Sequence, residues 1–126
     1  MLLSISTIVF TLLTGIVVLF QLCLAFGLPW GAASMGGKYP GKYPPKMRFI
    51  AIIIILILLT FNFIVISRAG YFFPWMYSFS KIAIWFVVLF SLSGTVMNSI
   101  TPSKIERIWV PVVFLQLIAS VIVALS

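Results

Sequence analysis

The sequence predicts an all-α polytopic membrane protein, with four transmembrane helices in a bundle of two hairpins and an ordered Gly/Pro-rich cytoplasmic loop. Apolar residues make up 63% of the chain and charged residues 7%, with a mean hydropathy of +1.31; a soluble domain carries about 25% charged residues. The apolar residues also fall into four long runs, each close to the roughly 20 residues that a helix needs to cross a bilayer core. We therefore expect one transmembrane domain over residues 1–126.

The first predicted span covers residues 2–26, where hydroxyl and small side chains recur at helical spacing on one face. We expect it to remain in the protein as a span, because no Lys or Arg precedes it. Its apolar run also exceeds the roughly 7 to 15 residues of a signal-peptide core.

The other predicted spans cover residues 49–67, 82–98 and 108–125. Like the first, they carry isolated polar side chains, which favour close helix packing and interhelical hydrogen bonds. A polar pore lining is the alternative. These polar positions are Thr11, Thr14, Gln21, Asn62, Ser91, Thr95, Asn98, Gln116 and Ser120. Pro111 falls inside the fourth span, where we expect it to free the carbonyl of Arg107 and kink the helix.

The charges of the connecting segments predict the orientation. A loop over residues 27–48 and a turn over residues 99–107 together hold six of the eight basic residues, whereas the aromatic segment 68–81 holds two. The positive-inside rule places the first two segments in the cytoplasm, and residues 68–81 and both termini outside. The predicted location is the cytoplasmic membrane of a bacterium.

The loop 27–48 contains five of the eight glycines and four of the seven prolines. A simple connection between helices needs about 2 to 8 residues, so we expect this longer segment to be ordered. Trp30 should pack beneath it near the helix ends, and Gly36-Gly37 should form a tight turn that exposes Lys38 and Lys42. The predicted contacts to anionic lipid headgroups or a partner protein are Trp30, Lys38, Tyr39, Lys42, Tyr43, Lys46 and Arg48.

Few side chains are available for chemistry. The chain has no His, one acidic residue and one Cys, so we expect no catalytic residue, no metal site and no cofactor. Nucleic-acid binding is not expected either, since the basic residues lie in short segments beside apolar runs, where membrane orientation and lipid headgroups account for them better. Ser103 and Glu106 have the spacing of a capping box at the start of the fourth helix. An ion- or proton-coupled role for Glu106 is the alternative.

Several motifs together resemble a family of small bacterial integral membrane proteins with four spans. They are PWG at 29–31, MGGKYPG at 35–41, PPKMR at 44–48 and NSITPSKIER at 98–107. The resemblance covers most of the chain, implies the four-span architecture and gives no catalytic residue to carry over.

The interpretation that follows is a small non-enzymatic integral membrane protein. It would act as an accessory or assembly subunit whose basic loop binds a partner protein or anionic lipid, as a homo-oligomer or within a membrane complex. The alternative is an oligomeric pore or a transporter of ions or small solutes.

Overall fold

The computed structural model of the chain describes residues 2–33, 37–39, 41–70, 74–101 and 104–126, apart from the side chains of Ala32 and Pro74. Four helices account for most of these residues: α1 (Leu2–Ala25), α2 (Pro45–Ala69), α3 (Tyr77–Ile100) and α4 (Val110–Leu125). Short 3₁₀ turns cover Gly31–Ala33, Pro74–Met76 and Glu106–Trp109. No strand occurs in the described ranges, so this part of the chain is all-helical as predicted.

α2 begins at Pro45, before the predicted start of the apolar span at position 49. Pro44 has an extended backbone, and its carbonyl accepts hydrogen bonds from the N–H groups of Met47 and Arg48. Proline suits the first helical position because its fixed φ matches the helix and its missing N–H would have no partner there. The helix therefore takes in the basic residues that the sequence suggested belong to the loop.

The segment between α2 and α3 is shorter than the predicted aromatic loop over residues 68–81. α2 continues through Ala69 and ends at Gly70, which adopts a left-handed backbone with φ of 83° and donates its N–H to the carbonyl of Ser67. α3 already begins at Tyr77. Three of the aromatic residues predicted for this loop, at positions 71–73, lie outside the described residues.

The predicted kink at Pro111 is wrong. α4 begins at Val110, so Pro111 lies in its first turn, where a proline removes no hydrogen bond from the helix. The carbonyl of Arg107 is not freed either, because the N–H of Val110 donates to it. The preceding Glu106–Trp109 segment is a 3₁₀ turn, which tightens the entry into α4.

The helices pack in a four-membered arrangement in which α1 contacts α2 and α4, and α3 contacts the same two helices. One buried apolar cluster centres on Val65, Ile84, Val87 and Val123. A second cluster joins the end of α1 to the loop and the start of α2, through Leu24, Tyr43, Met47 and Ala51. The loop is thus part of the packed structure.

The outer surface of the bundle is apolar. Three helices, and a fourth segment made of the 3₁₀ turn with α4, are long and apolar enough to cross a membrane. In the most apolar 18-residue stretch of each segment, only 22–28% of the residues are buried inside the protein. Large exposed aliphatic and aromatic side chains occur along all of them. Soluble monomers rarely expose such continuous apolar surface, and a hydrocarbon environment would cover it.

Candidate functional site

The loop over residues 27–48 is closed by a backbone contact at its base. The N–H of Gly31 donates to the carbonyl of Gly41 over 2.8 Å. A Cβ at position 31 would lie 1.9 Å from the carbonyl oxygen of Tyr39 and 2.7 Å from that of Gly41. Only glycine permits so close an approach of two backbone segments. Position 31 therefore has to be glycine for the backbone there to lie against Tyr39 and Gly41.

One side chain joins the two helices that flank the loop, and another ties the loop to the 3₁₀ turn before α4. Arg48 on α2 donates through Nε to the carbonyl of Ala25, at the end of α1, over 2.7 Å. Trp109 donates its indole N–H to the carbonyl of Ala33 over 2.9 Å. The last carbonyls of a helix have no partner within the helix, so Arg48 satisfies one of them and brings positive charge to the negative end of the α1 dipole.

The buried aromatic residue of the loop is Tyr43. Its side chain is 2% exposed and packs with Leu24 and Met47, while the ring of Tyr39 lies 6.0 Å away in an edge-on arrangement. The prediction that Trp30 packs beneath the loop is wrong, since Trp30 is 48% exposed. Tyr43 immediately precedes the prolines at the start of α2, and that position directs it onto the end of α1.

The lysines of the loop all lie on its outside. Lys38, Lys42 and Lys46 are exposed, as was predicted for Lys38 and Lys42. The ammonium of Lys38 lies 5.7 Å from the centre of the Tyr39 ring. The aliphatic stem of Lys42 passes over Gly27. A Cβ added to Gly27 would lie 2.8 Å from the Cε atom of Lys42.

The predicted Gly36-Gly37 turn is described in part. Gly37 has φ of 74°, a left-handed backbone that favours glycine. Gly36 lies outside the described residues, so the prediction for the pair stays a prediction. Gly41, on the other side of Tyr39, also has a positive φ of 79°.

Two pairs of the predicted polar side chains meet between helices. Gln116 on α4 donates through Nε2 to the hydroxyl of Thr14 on α1, over 2.9 Å. The hydroxyl of Thr11 donates to Oδ1 of Asn62 on α2, over 3.1 Å. Both pairs lie within the bundle, where hydrogen bonds between helices stabilise their packing.

Most of the other predicted polar side chains bond within their own helices. Thr95 donates to the carbonyl of Ser91, Ser120 to that of Leu117, and the Asn98 amide nitrogen to that of Gly94. Hydroxyl side chains commonly bond to the preceding turn in this way. The Oε1 atom of Gln21 is buried and takes no hydrogen bond from any described residue.

The predicted capping box is only partly within the described structure. Ser103 lies outside it, and Glu106 occupies the 3₁₀ turn before α4, where its side chain is 8% exposed. The pairing of these two residues as a helix cap therefore stays a prediction.

The charge pattern did not reveal the role of Arg68, which the sequence suggested was a basic residue of the aromatic loop. It lies in the last turn of α2 and is 9% exposed. Its guanidinium donates to the Tyr77 hydroxyl over 3.0 Å and to the backbone carbonyls of Ala124 and Ser126. Arg68 thus joins the ends of three helices. Its position at the very end of an apolar run was the signal available in the sequence.

No group of His, Cys, Asp or Glu side chains that could hold a metal ion occurs among the described residues. No protein-family model, no curated protein and no solved structure matches the chain. The resemblance to small four-span bacterial membrane proteins therefore stays an expectation from its motifs.

Proposed function

We propose that the chain is a non-enzymatic integral membrane protein whose lysine-rich loop docks on anionic groups at the membrane surface. The observation that carries the proposal is that described parts of the loop backbone are held by hydrogen bonds while its three lysines are exposed. The backbone is held by the Gly31–Gly41 contact and by Arg48, whereas Lys38, Lys42 and Lys46 are exposed. A preorganised cationic surface loses less conformational entropy on binding than a flexible one does.

The membrane location is supported by the four long apolar segments and by their exposed apolar faces. We propose insertion in the cytoplasmic membrane of a bacterium, with both termini outside and the lysine-rich loop inside. Cysteine labelling tests this orientation. In a variant with Cys23→Ser and Lys42→Cys, a membrane-impermeant maleimide should label inverted vesicles and leave intact cells unlabelled. Labelling of intact cells would refute the orientation.

Phospholipid headgroups and an acidic surface on a partner protein both offer the chemistry that the lysines require. Headgroups are always present beside the loop in the proposed orientation, and each Lys near an anionic leaflet gains about 1 kcal/mol. The chain would then be an accessory or assembly subunit, either as a homo-oligomer or within a membrane complex. In that case the exposed lysines would bind a partner protein.

The lipid interaction is testable with purified protein. Short-chain phosphatidylglycerol should bind the parent protein more tightly than phosphatidylcholine does, as measured by native mass spectrometry. Replacing Lys38, Lys42 and Lys46 by Gln should reduce this preference by up to roughly 100-fold, from about 1 kcal/mol for each lysine. The control with Lys81→Gln and Lys104→Gln removes charges elsewhere and should keep most of the preference. An unchanged preference in the loop variant would refute lipid docking, and capture of an acidic protein would then identify the partner.

The alternative of a pore or transporter predicts solute flux. The Thr14–Gln116 and Thr11–Asn62 hydrogen bonds support the packing interpretation, since these side chains bond to each other across the helices. Ion or small-solute flux through liposomes containing the protein, absent from empty liposomes, would favour the transport function instead.

A further inference from the structure

A groove of about 600 Å³ lies between α2 and α3, at the end of the bundle that carries the loop. Met47 and Ile50, near the start of α2, line one side, and Met97, near the end of α3, lines the other. Its volume falls within the range of about 300 to 1,000 Å³ that is usual for ligand sites. Met97 is 65% exposed, so the groove opens on the apolar outer surface of the bundle.

The groove lies where α2 and α3 part. Away from the loop the two helices pack closely, since Val65 and Ile84 belong to one buried apolar cluster and the rings of Phe61 and Phe90 lie 4.9 Å apart. The buried cluster at the loop end draws its described members from α1, the loop and α2. The space beside α2 at this end is therefore available to another molecule.

The loop gives this groove a polar mouth. Lys38 and Tyr39 line the groove together with the side chains from α2 and α3. Lys38 is exposed, and its ammonium lies 5.7 Å from the centre of the Tyr39 ring. Lysine and tyrosine suit the boundary between hydrocarbon and water, because each has an apolar body and a polar end. An apolar groove with a cationic mouth matches a phospholipid, in which an anionic phosphate follows a hydrocarbon chain.

The charges around the mouth favour an anion. The chain has a net charge of +7, and Lys42 and Lys46 of the same loop are exposed as well. Glu106 also lines the groove, but it is 8% exposed and has an interaction partner within the protein. The exposed charge at the mouth is thus that of Lys38. A second copy of the chain would bring like charge to it, which disfavours a protein dimer at this place.

The position of the groove favours a membrane lipid over a water-soluble anion. Its open side belongs to a surface that faces acyl chains when the helices span a bilayer. Basic pockets between transmembrane helices at the cytoplasmic face bind anionic lipid headgroups. A lipid tail gains little by leaving hydrocarbon for an apolar groove, so the selection of one lipid over another has to come from its headgroup.

We propose that this groove holds one anionic phospholipid, with an acyl chain between α2 and α3 and its phosphate at Lys38. The inference rests on the proposed docking of the lysine-rich loop on anionic groups. It adds a bound lipid in a defined position, which fills the space between the two helices and connects the loop to α3.

The experiment uses phosphatidylglycerol with a photoactivatable diazirine in one acyl chain, mixed into phosphatidylcholine liposomes that contain the full chain. After illumination, peptide mass spectrometry should find crosslinks concentrated at Ile50 and Met97. Leu12 and Leu56 are 64% and 60% exposed and lie outside the described lining of the groove, so they report contact with passing lipids. Additional unlabelled phosphatidylglycerol should reduce the crosslinks in the groove, and an equal amount of phosphatidylcholine should not.

Two pairs of variants test the named contacts. Met97→Trp puts a larger side chain into the opening and should reduce crosslinking at Ile50 at least about fivefold. Val96→Trp is its control, because Val96 is 49% exposed and lies outside the described lining; crosslinking at Ile50 should stay unchanged. Lys38→Gln should reduce it about fivefold. Lys46→Gln removes the same charge from an exposed position outside the described lining and should have a smaller effect.

Failure of this inference differs from failure of loop docking. If the parent protein prefers phosphatidylglycerol in native mass spectrometry, but crosslinks at Ile50 and Met97 do not exceed those at Leu12 and Leu56, the groove site is overturned and loop docking stands. Equal competition by phosphatidylcholine, or equal effects within either pair of variants, would also overturn the groove site. If the parent protein shows no preference for phosphatidylglycerol, loop docking is refuted and the groove inference with it.

Discussion

The hydrogen bond between Thr14 and Gln116 should hold α1 and α4 together by a measurable coupling energy. Gln116 Nε2 lies 2.9 Å from Thr14 Oγ1, and the two side chains are 7% and 2% exposed. Thr14→Val removes the hydroxyl with little change in shape, and Gln116→Leu replaces the amide with a slightly shorter apolar side chain. The double variant removes both partners.

The magnitudes follow from burial. Hydrogen bonds between transmembrane helices contribute about 0.6 kcal/mol on average and up to about 1.7 kcal/mol. Thr14→Val also leaves the buried amide of Gln116 without its acceptor, so we expect a loss of about 1 to 3 kcal/mol for this variant. The double variant should lose less than the sum of the single variants, and the difference should be about 0.6 to 1.7 kcal/mol.

The assay is equilibrium unfolding in mixed detergent micelles, followed by far-ultraviolet circular dichroism. Thr60→Val is the matched control, because Thr60 is exposed on α2 and its hydroxyl bonds to the carbonyl of Leu56 in the same helix. Combined with Gln116→Leu, it should be additive within about 0.3 to 0.5 kcal/mol. Additivity of Thr14→Val with Gln116→Leu within the same limit would refute the coupling.

Two further predictions concern the loop base and the far end of the bundle. Gly31→Ala should strongly lower the unfolding midpoint, because its Cβ would lie 1.9 Å from the Tyr39 carbonyl oxygen. The control is Gly15→Ala, whose Cβ would have no atom within 4 Å and which should be neutral or stabilising by up to about 1 kcal/mol. Equal unfolding midpoints for the two variants would contradict the loop contact. Arg68→Met keeps an apolar stem but removes the donor to the Ala124 carbonyl. We expect the free energy of unfolding to fall by about 1.5 to 3 kcal/mol and amide hydrogen exchange at the end of α4 to become faster. Unchanged exchange would refute the role of Arg68.

The helices could be predicted from the sequence because a long apolar run has few stable alternatives in a hydrocarbon environment, where backbone polar groups must bond within the segment. Their ends were less predictable. The apolar run shows which residues can lie in hydrocarbon. The helix itself extends further, to residues whose backbone conformation begins or ends it. Pro45 therefore starts α2 before the apolar run, and the left-handed Gly70 ends it after the run.

The exposed lysines of the loop were also predictable, because a charged side chain on a segment outside the apolar runs gains most from water and anionic headgroups. Composition could not decide which aromatic residue anchors the loop. Trp30 and Tyr43 are both amphipathic, and only the path of the chain into α2 places Tyr43 against Leu24.

Four apolar helices and one long basic connection follow from the order of residues alone, since hydropathy and charge are properties of local segments. Which polar groups meet depends on how the helices pack. Thr14 and Gln116 are far apart in the chain, and their contact depends on α1 lying beside α4. Gln21 and Glu106 share a cavity for the same reason. A helical face is visible in the spacing of its residues, but its partner is fixed only when the helices pack, because several pairings of similar apolar faces have similar energies.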